Sequence, residues 1–339
     1  MNRWRQSRSR QDDRILRSRP LARGSGGDVA RALDETTRYA RSADRLGYRR
    51  FWLAEHHNMP GIASAATSVV IGHVAGATKT IRVGSGGIML PNHAPMVIAE
   101  QFGTLEALYP GRIDLGLGRA PGTDGETARA LRRYFDAADQ FPRDVLELQA
   151  FLAPAVEGQR VRAVPGAGSN VPVWLLGSSL FSAELAAQLG LPFAFASHFA
   201  PELLMQALHT YRAGYRPSAA NPQPYAMAVM NVFAADSEVE AQHLSTSMQQ
   251  AFAAVVTGKT IQLPPPVDDI ASVLDARARA AVESRLQYAA IGDAGVVRDR
   301  LNAFAAGTGV DEVMVTGMIF DVKARIRSLE ITAEAVGLG

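Results

Sequence analysis

Two alternating periods constrain this chain more than any other feature. From about Asp28 onward, stretches with apolar residues at helical spacing take turns with short apolar runs. Residues 28–46 place Val29, Leu33, Tyr39, Ala40, Ala43 and Leu46 near helical spacing, and Gly47 stops the helix. Phe51-Trp52-Leu53-Ala54 then reads as a buried strand. Further strands are predicted at 81–90, 113–117, 173–176, 193–196, 226–234 and 312–316, with helical patterns between them and a last helix near 321–335. Strands joined through helices run parallel, by right-handed crossovers. An eighth strand must precede the first helix, and Arg14-Ile15-Leu16-Arg17-Ser18 is the only candidate. The expected class is therefore α/β, a (β/α)8 TIM barrel. Segments 119–142 and 257–290 fall outside the alternation and read as insertions at the carboxyl-terminal face, where they would cover a site. A doubly wound open sheet would need a phosphate loop after its first strand, and none is there.

Composition removes whole classes of chemistry. Cysteine is absent, which excludes a disulfide scaffold, a thiolate nucleophile and Cys-ligated metal sites. No GxxxxGK[ST], HExxH or GxSxG occurs, so nucleotide hydrolysis, zincin and serine-hydrolase readings lack their parts. No apolar run is long enough to suggest a membrane span. The net charge is +2, yet residues 1–23 hold eight Arg against Asp12 and Asp13, so the remainder is mildly acidic. We expect 1–23 to be a basic segment outside the core and 24–339 to form the barrel. Nucleic acid is not an expected partner, because that arm has no aromatic platform beyond Trp4. Arginine is also the default cation here, with only Lys79, Lys259 and Lys323 as lysines.

Four motifs carry candidate chemistry. Ala54-Glu55-His56-His57-Asn58 follows a strand's carboxyl end, where barrel active sites are built. An imidazole there can exchange a proton near pH 7, and an adjacent carboxylate can set its tautomer. Adjacent histidines on extended backbone point opposite ways, so we expect no metal. Val83-Gly84-Ser85-Gly86-Gly87-Ile88 is a strand with three glycines, a sign of a bulge or of close approach by a planar ligand. The strand ending Gly116-Leu117-Gly118-Arg119 puts an arginine at its tip, placed to clamp an anion. Gly177-Ser178-Ser179 leads from a strand into a helix, where amides and hydroxyls can seat a phosphate or simply cap the helix.

Taken together, AEHHN at 54–58, RVGSGGIMLPNHAPMVIAEQFGTLEALYPGRIDLGLGRAPGTD at 82–124 and GSS at 177–179 resemble the bacterial luciferase-like flavin-dependent monooxygenases. The likeness runs from about 28 to 335. It implies a (β/α)8 barrel and reduced FMN (FMNH2) supplied by a separate NAD(P)H:flavin reductase. The flavin would react with O2 to form a flavin hydroperoxide that oxidises a small organic substrate. By motif, His56 matches the family's active-site histidine. Gly86-Gly87 match the strand end where a non-prolyl cis peptide lies against the isoalloxazine ring. Arg119 and Gly177-Ser178-Ser179 match the phosphate site, while Glu55, His57, Ser197 and His198 would lie near the ring or substrate. A cytoplasmic homodimer is expected. Gly118 stands where the light-emitting enzymes have a reactive cysteine, so light emission is not implied. Two alternatives stay open: a deazaflavin (F420)-dependent hydride-transfer enzyme, and a non-catalytic flavin-binding subunit. Retention of Glu55-His56-His57 argues against the second.

Overall fold

The computed structural model describes residues 15–19, 28–120, 125–132 and 138–338. The basic arm therefore lies outside the described residues except for 15–19, as does the 121–124 end of the glycine-rich block. Among the described residues nine strands are present: β1 (Ile15–Arg19), β2 (Arg50–Leu53), β3 (Arg82–Met89), β4 (Ile113–Gly118), β5 (Val173–Gly177), β6 (Phe193–Phe195), β7 (Ala226–Ala234), β8 (Ala290–Gly292) and β9 (Glu312–Thr316). The helices are α1 (Val29–Arg45), α2 (Thr67–Ala77), α3 (Pro95–Leu108), α4 (Gly125–Ala130), α5 (Phe141–Leu152), α6 (Leu180–Leu189), α7 (Leu204–Gly214), α8 (Glu238–Val256), α9 (Ala276–Arg285), α10 (Ala294–Thr308) and α11 (Val322–Val336). All strand pairings are parallel, and the sheet curls. Successive strands pair from β1 to β7, β7 pairs β9, and β9 pairs β1.

The Ile15–Arg19 segment does form the first strand, between β2 and β9. One strand escaped the sequence pattern. Ala290–Gly292 is three residues long, too short to show a period, and it occupies the edge of β7 that β9 leaves open. β7 is long enough for both: Met227–Asn231 pair with β9, and Val232–Ala234 with β8.

Alternation along each strand sorts the side chains into two cores. Phe51, Leu53, Val83, Leu115, Leu117, Phe193 and Val313 point outward and pack under the helices. Trp52, Trp174, Ala194, Met227, Val229 and Met314 point inward and fill the centre. Trp52 and Trp174 meet edge-to-face at 5.3 Å, so the middle of the ring of strands is solid. No helix among the described residues is long and apolar enough to cross a membrane.

The amino-terminal end of the strands is sealed by charge. Arg50 donates to Asp114 at 2.7 Å and to Glu312 at 3.1 Å. Arg82 reaches the other oxygen of Asp114 at 2.7 and 2.9 Å, and the Trp52 indole donates to Asp114 at 3.0 Å. Arg49 pairs with Glu312 at 2.6 Å. Burial works against the Asp114 charge, but Arg50 and Arg82 outweigh it and hold that carboxyl below its ordinary range.

Candidate active site

The carboxyl-terminal end is built differently. Three residues beyond Leu53, His56 sits half-buried at the mouth, one peptide from a fully buried carboxylate. Glu55 Oε1 accepts from His57 Nε2 at 2.6 Å and from His93 Nε2 at 2.7 Å, and Oε2 accepts the Met89 amide at 3.1 Å. The Glu55 amide also donates to the Gly87 carbonyl at 3.4 Å. This corrects the expectation for Glu55: the imidazoles it orients are His57 and His93. Through them it ties the end of β2 to the end of β3. The two His57 and His93 donor atoms and the carboxylate lie within 4.8 Å of one another, close enough to offer a cation three ligands. At 2.6 and 2.7 Å, however, the separations are those of direct N–H···O bonds. Around an ion with bonds of about 2.1 Å, ligand atoms would stand roughly 3 Å or more apart.

Inward positions near this mouth are occupied by unusually small residues. β3 contributes Gly84 and the Gly86-Gly87 pair, whose peptide is cis, and the register with β4 slips between Ser85 and Ile88. β4 contributes Gly116 and Gly118. A Cβ on Gly116 would strike the Ser85 carbonyl and the Leu176 side chain, so glycine is required there by close approach. A Cβ on Gly118 would meet nothing nearer than 3.8 Å. The floor is tryptophan and methionine, with Gly84 and Gly116 level with Trp52 and Trp174, and the next positions on β3 and β4 are Gly86, Gly87 and Gly118. That leaves a shelf suited to a flat ring.

Beside the shelf, the tip of β4 meets the start of α6. Ser179 is the N-cap of α6, yet its side chain makes no capping hydrogen bond, so the helix's first amides are not satisfied in that way. The exposed Arg119 guanidinium stacks over Phe181, in the first turn of α6, at 4.3 Å from the ring centre. The strand-tip arginine and the Gly177-Ser178-Ser179 turn are thus brought together. Gly177 is pressed against Ser182, where a Cβ would collide with it.

Across the mouth, Ser197 donates to the Val229 carbonyl at 2.7 Å and is buried. Its hydroxyl is therefore committed to joining β6 and β7. His198 places Nδ1 out of reach of solvent with no hydrogen-bond partner among the described residues. Burial lowers its pKa to about 4, so the imidazole is neutral at physiological pH. Asn231, inward-facing on β7, was not singled out by sequence; its Oδ1 is likewise buried and unpartnered.

Both insertions reach the loop after β2. Asn58 Nδ2 donates to Thr127 Oγ1 at 3.0 Å, and Gly61 lies so near the Ile261 carbonyl that a Cβ would not fit.

The sequence pattern of luciferase-like monooxygenases matches residues 17–312. The chain belongs to that family. A luciferase-like monooxygenase of Escherichia coli (strain K12) is 53% identical over 321 residues, 94% of this chain and 95% of its own length. The N-acetyl-S-alkylcysteine monooxygenase of Bacillus subtilis (strain 168) is 35% identical over 71% of this chain and 73% of its own. Among solved structures, apo-MsnO8 superimposes with a TM-score of 0.85 at 34% identity, covering 96% of this chain and 99% of that one. As a member of the luciferase-like family, the chain shares the curled parallel sheet of its relatives.

Proposed function

We propose that this protein is a flavin-dependent monooxygenase that takes reduced FMN from a separate NAD(P)H:flavin reductase and uses O2 to oxidise a small organic substrate. The parallel pairings are read as a closed (β/α)8 barrel whose first strand is Ile15–Arg19, so the barrel begins within the 1–23 segment rather than at residue 24. One observation carries the proposal: an anion seat, a shelf of glycines and a histidine converge on the same mouth. Arg119 and the amides and hydroxyls at Gly177, Ser178 and Ser179 would hold the phosphate, since a cation beside a helix N-terminus complements a dianion. Gly86 and Gly87 would lie against the ring. Reduced FMN supplies the electrons with which O2 is activated. His56 gives or takes the proton that the reaction moves, held in place by the Glu55 bonds on either side of it. The insertions exclude water by closing over the loop that carries His56.

A homodimer fits the surface of α2 and α3. Val69 is 71% exposed and Val97 44% exposed, on two neighbouring helices that offer no charged cover in their first turns.

The deciding experiment is an anaerobic titration with reduced FMN and with reduced deazaflavin, each followed by isotopic O2 and mass spectrometry of any product. Binding of reduced FMN in preference to deazaflavin, with one oxygen atom incorporated, is expected. Preference for the deazaflavin would overturn the monooxygenase reading in favour of hydride transfer.

A further inference from the structure

Two buried polar atoms at the mouth have no partner among the described residues, and a hydrogen bond joins the residues that carry them. Asn231 donates Nδ2 to the His198 carbonyl at 2.5 Å. A carbonyl can only accept, so this bond fixes which end of the amide is nitrogen and leaves Oδ1 as a pure acceptor. Oδ1 has no partner, and Asn231 as a whole is 2% exposed. Beside it, the buried Nδ1 of His198 has none either. A buried polar atom without a partner is costly, and such pairs persist in native proteins where a ligand completes them.

The strand side chains around them narrow the choice of ligand. Above the tryptophan floor, inward positions of the described strands are Gly118 on β4, Leu176 on β5, Asn231 on β7 and Thr316 on β9, whereas Gly84 and Gly116 pair with Trp52 and Trp174 themselves. Ser85 is committed to the main chain of Gly116, at 2.8 and 3.0 Å. A ring resting on this layer meets polar strand side chains on one side only, at β7 and β9, where Asn231 and Thr316 are paired in register. Isoalloxazine concentrates its polar groups at one end, an imide with a single N–H between two carbonyls. That end needs an acceptor for the N–H and neutral surroundings, and Asn231 beside a neutral His198 supplies both.

We infer that Asn231 Oδ1 is the acceptor for the flavin's imide N–H, with His198 alongside it. The inference rests on the FMN reading above and deepens it. It makes β7 the strand that fixes which way the ring lies on the glycine shelf.

The test compares FMN with FMN methylated at N3, both reduced and under anaerobic conditions, by quenching of protein fluorescence, on the wild-type protein and on Asn231→Leu. Wild type should bind the methylated flavin about five- to tenfold more weakly than FMN, the scale of one lost hydrogen bond. Asn231→Leu should bind FMN about five- to tenfold more weakly and discriminate no further between the two flavins. Equal affinity of the wild-type protein for both flavins would overturn the inference without any variant being needed. So would a folded Asn231→Leu that still discriminates, which would give the imide another partner and leave Asn231 to the substrate. Failure of wild type to bind either flavin would instead overturn the FMN reading itself.

Discussion

At the amino-terminal end of the strands, Arg50, Asp114 and Glu312 are buried together with Trp52, with Arg82 half-buried beside them, and the carboxylates receive charged donors on both oxygens. At the carboxyl-terminal end, the buried atoms His198 Nδ1 and Asn231 Oδ1 have no partner, and α6 begins without a side-chain cap. Both ends bury polar groups in a ring of strands, but only one completes its own hydrogen bonds. A satisfied network holds a shape; an unsatisfied one waits for a ligand. The difference marks which end is the site before any relative is consulted.

The comparison breaks most visibly at the sealed end. Asp114→Ala leaves the buried Arg50 and the half-buried Arg82 without their shared carboxylate, and should destabilise the fold by about 3–5 kcal/mol. Chemical denaturation measures this. The folded fraction should still bind FMN, because Asp114 meets the shelf only from beneath, through the Trp52 indole and Gly84. A stable Asp114→Ala protein with impaired FMN binding would show that the two ends are not separate in role.

At the open end, the largest effect should come from His56→Ala. Turnover is expected to fall roughly 10²–10⁴-fold, the range for removing a general acid or base, with FMN affinity retained. Steady-state kinetics and flavin titration separate the two. His93→Leu should lower turnover by less, since it removes one of the donors that fix Glu55 and leaves His57 in place. If His93→Gln, which can still present an N–H, restores the rate, the contact acts by positioning.

Arg119→Ala should weaken FMN binding by about 1–2 kcal/mol, because its guanidinium is exposed and solvent screens part of its attraction to a phosphate. Ser179→Ala should add a smaller loss. Unchanged affinity in both would remove the anion seat from the argument.

How much of this was legible in the sequence follows from what leaves a local trace. The alternation of periods gave the order of strands and helices, since each element's burial is written in its own spacing. Ile15–Arg19 was identified by elimination, because its flanking arginines mask any apolar run. Ala290–Gly292 was missed for want of length. At the site, Arg119 and Gly177-Ser178-Ser179 were legible as motifs, and their meeting through Phe181 depends on the fold. Glu55 was legible as a carboxylate beside two histidines, and its bond to His57 lies within that motif. Its second histidine, His93, stands 38 positions away, and no spacing rule connects them. Asn231 lay inside an apolar strand, and period-2 alternation with Met227 and Val229 could have placed it facing inward.

The smallest effect concerns acid, and it separates the two ends once more. His198 is held neutral, with its pKa lowered by burial from 6.5 to about 4. Between those values the unfolded chain binds a proton that the folded chain does not, so this residue makes stability fall as pH drops through that window and contributes nothing above it. Asp114 acts in the same sense but in a lower window. Its carboxyl is lowered by Arg50 and Arg82 against the cost of burial, so its contribution is present at neutral pH and is lost only as pH falls from below 3.8 towards its folded value. The melting temperature of wild type should therefore decline from pH 6.5 to 4 more steeply than that of His198→Phe, whose aromatic ring keeps the packing on Phe199 without the titrating nitrogen. Saturating FMN should raise both curves while preserving the difference in slope, because the flavin adds binding energy without protonating the imidazole. Parallel curves for the two proteins would mean that His198 can take up its proton in the folded state, and the mouth would then be wetter than its unpaired atoms imply.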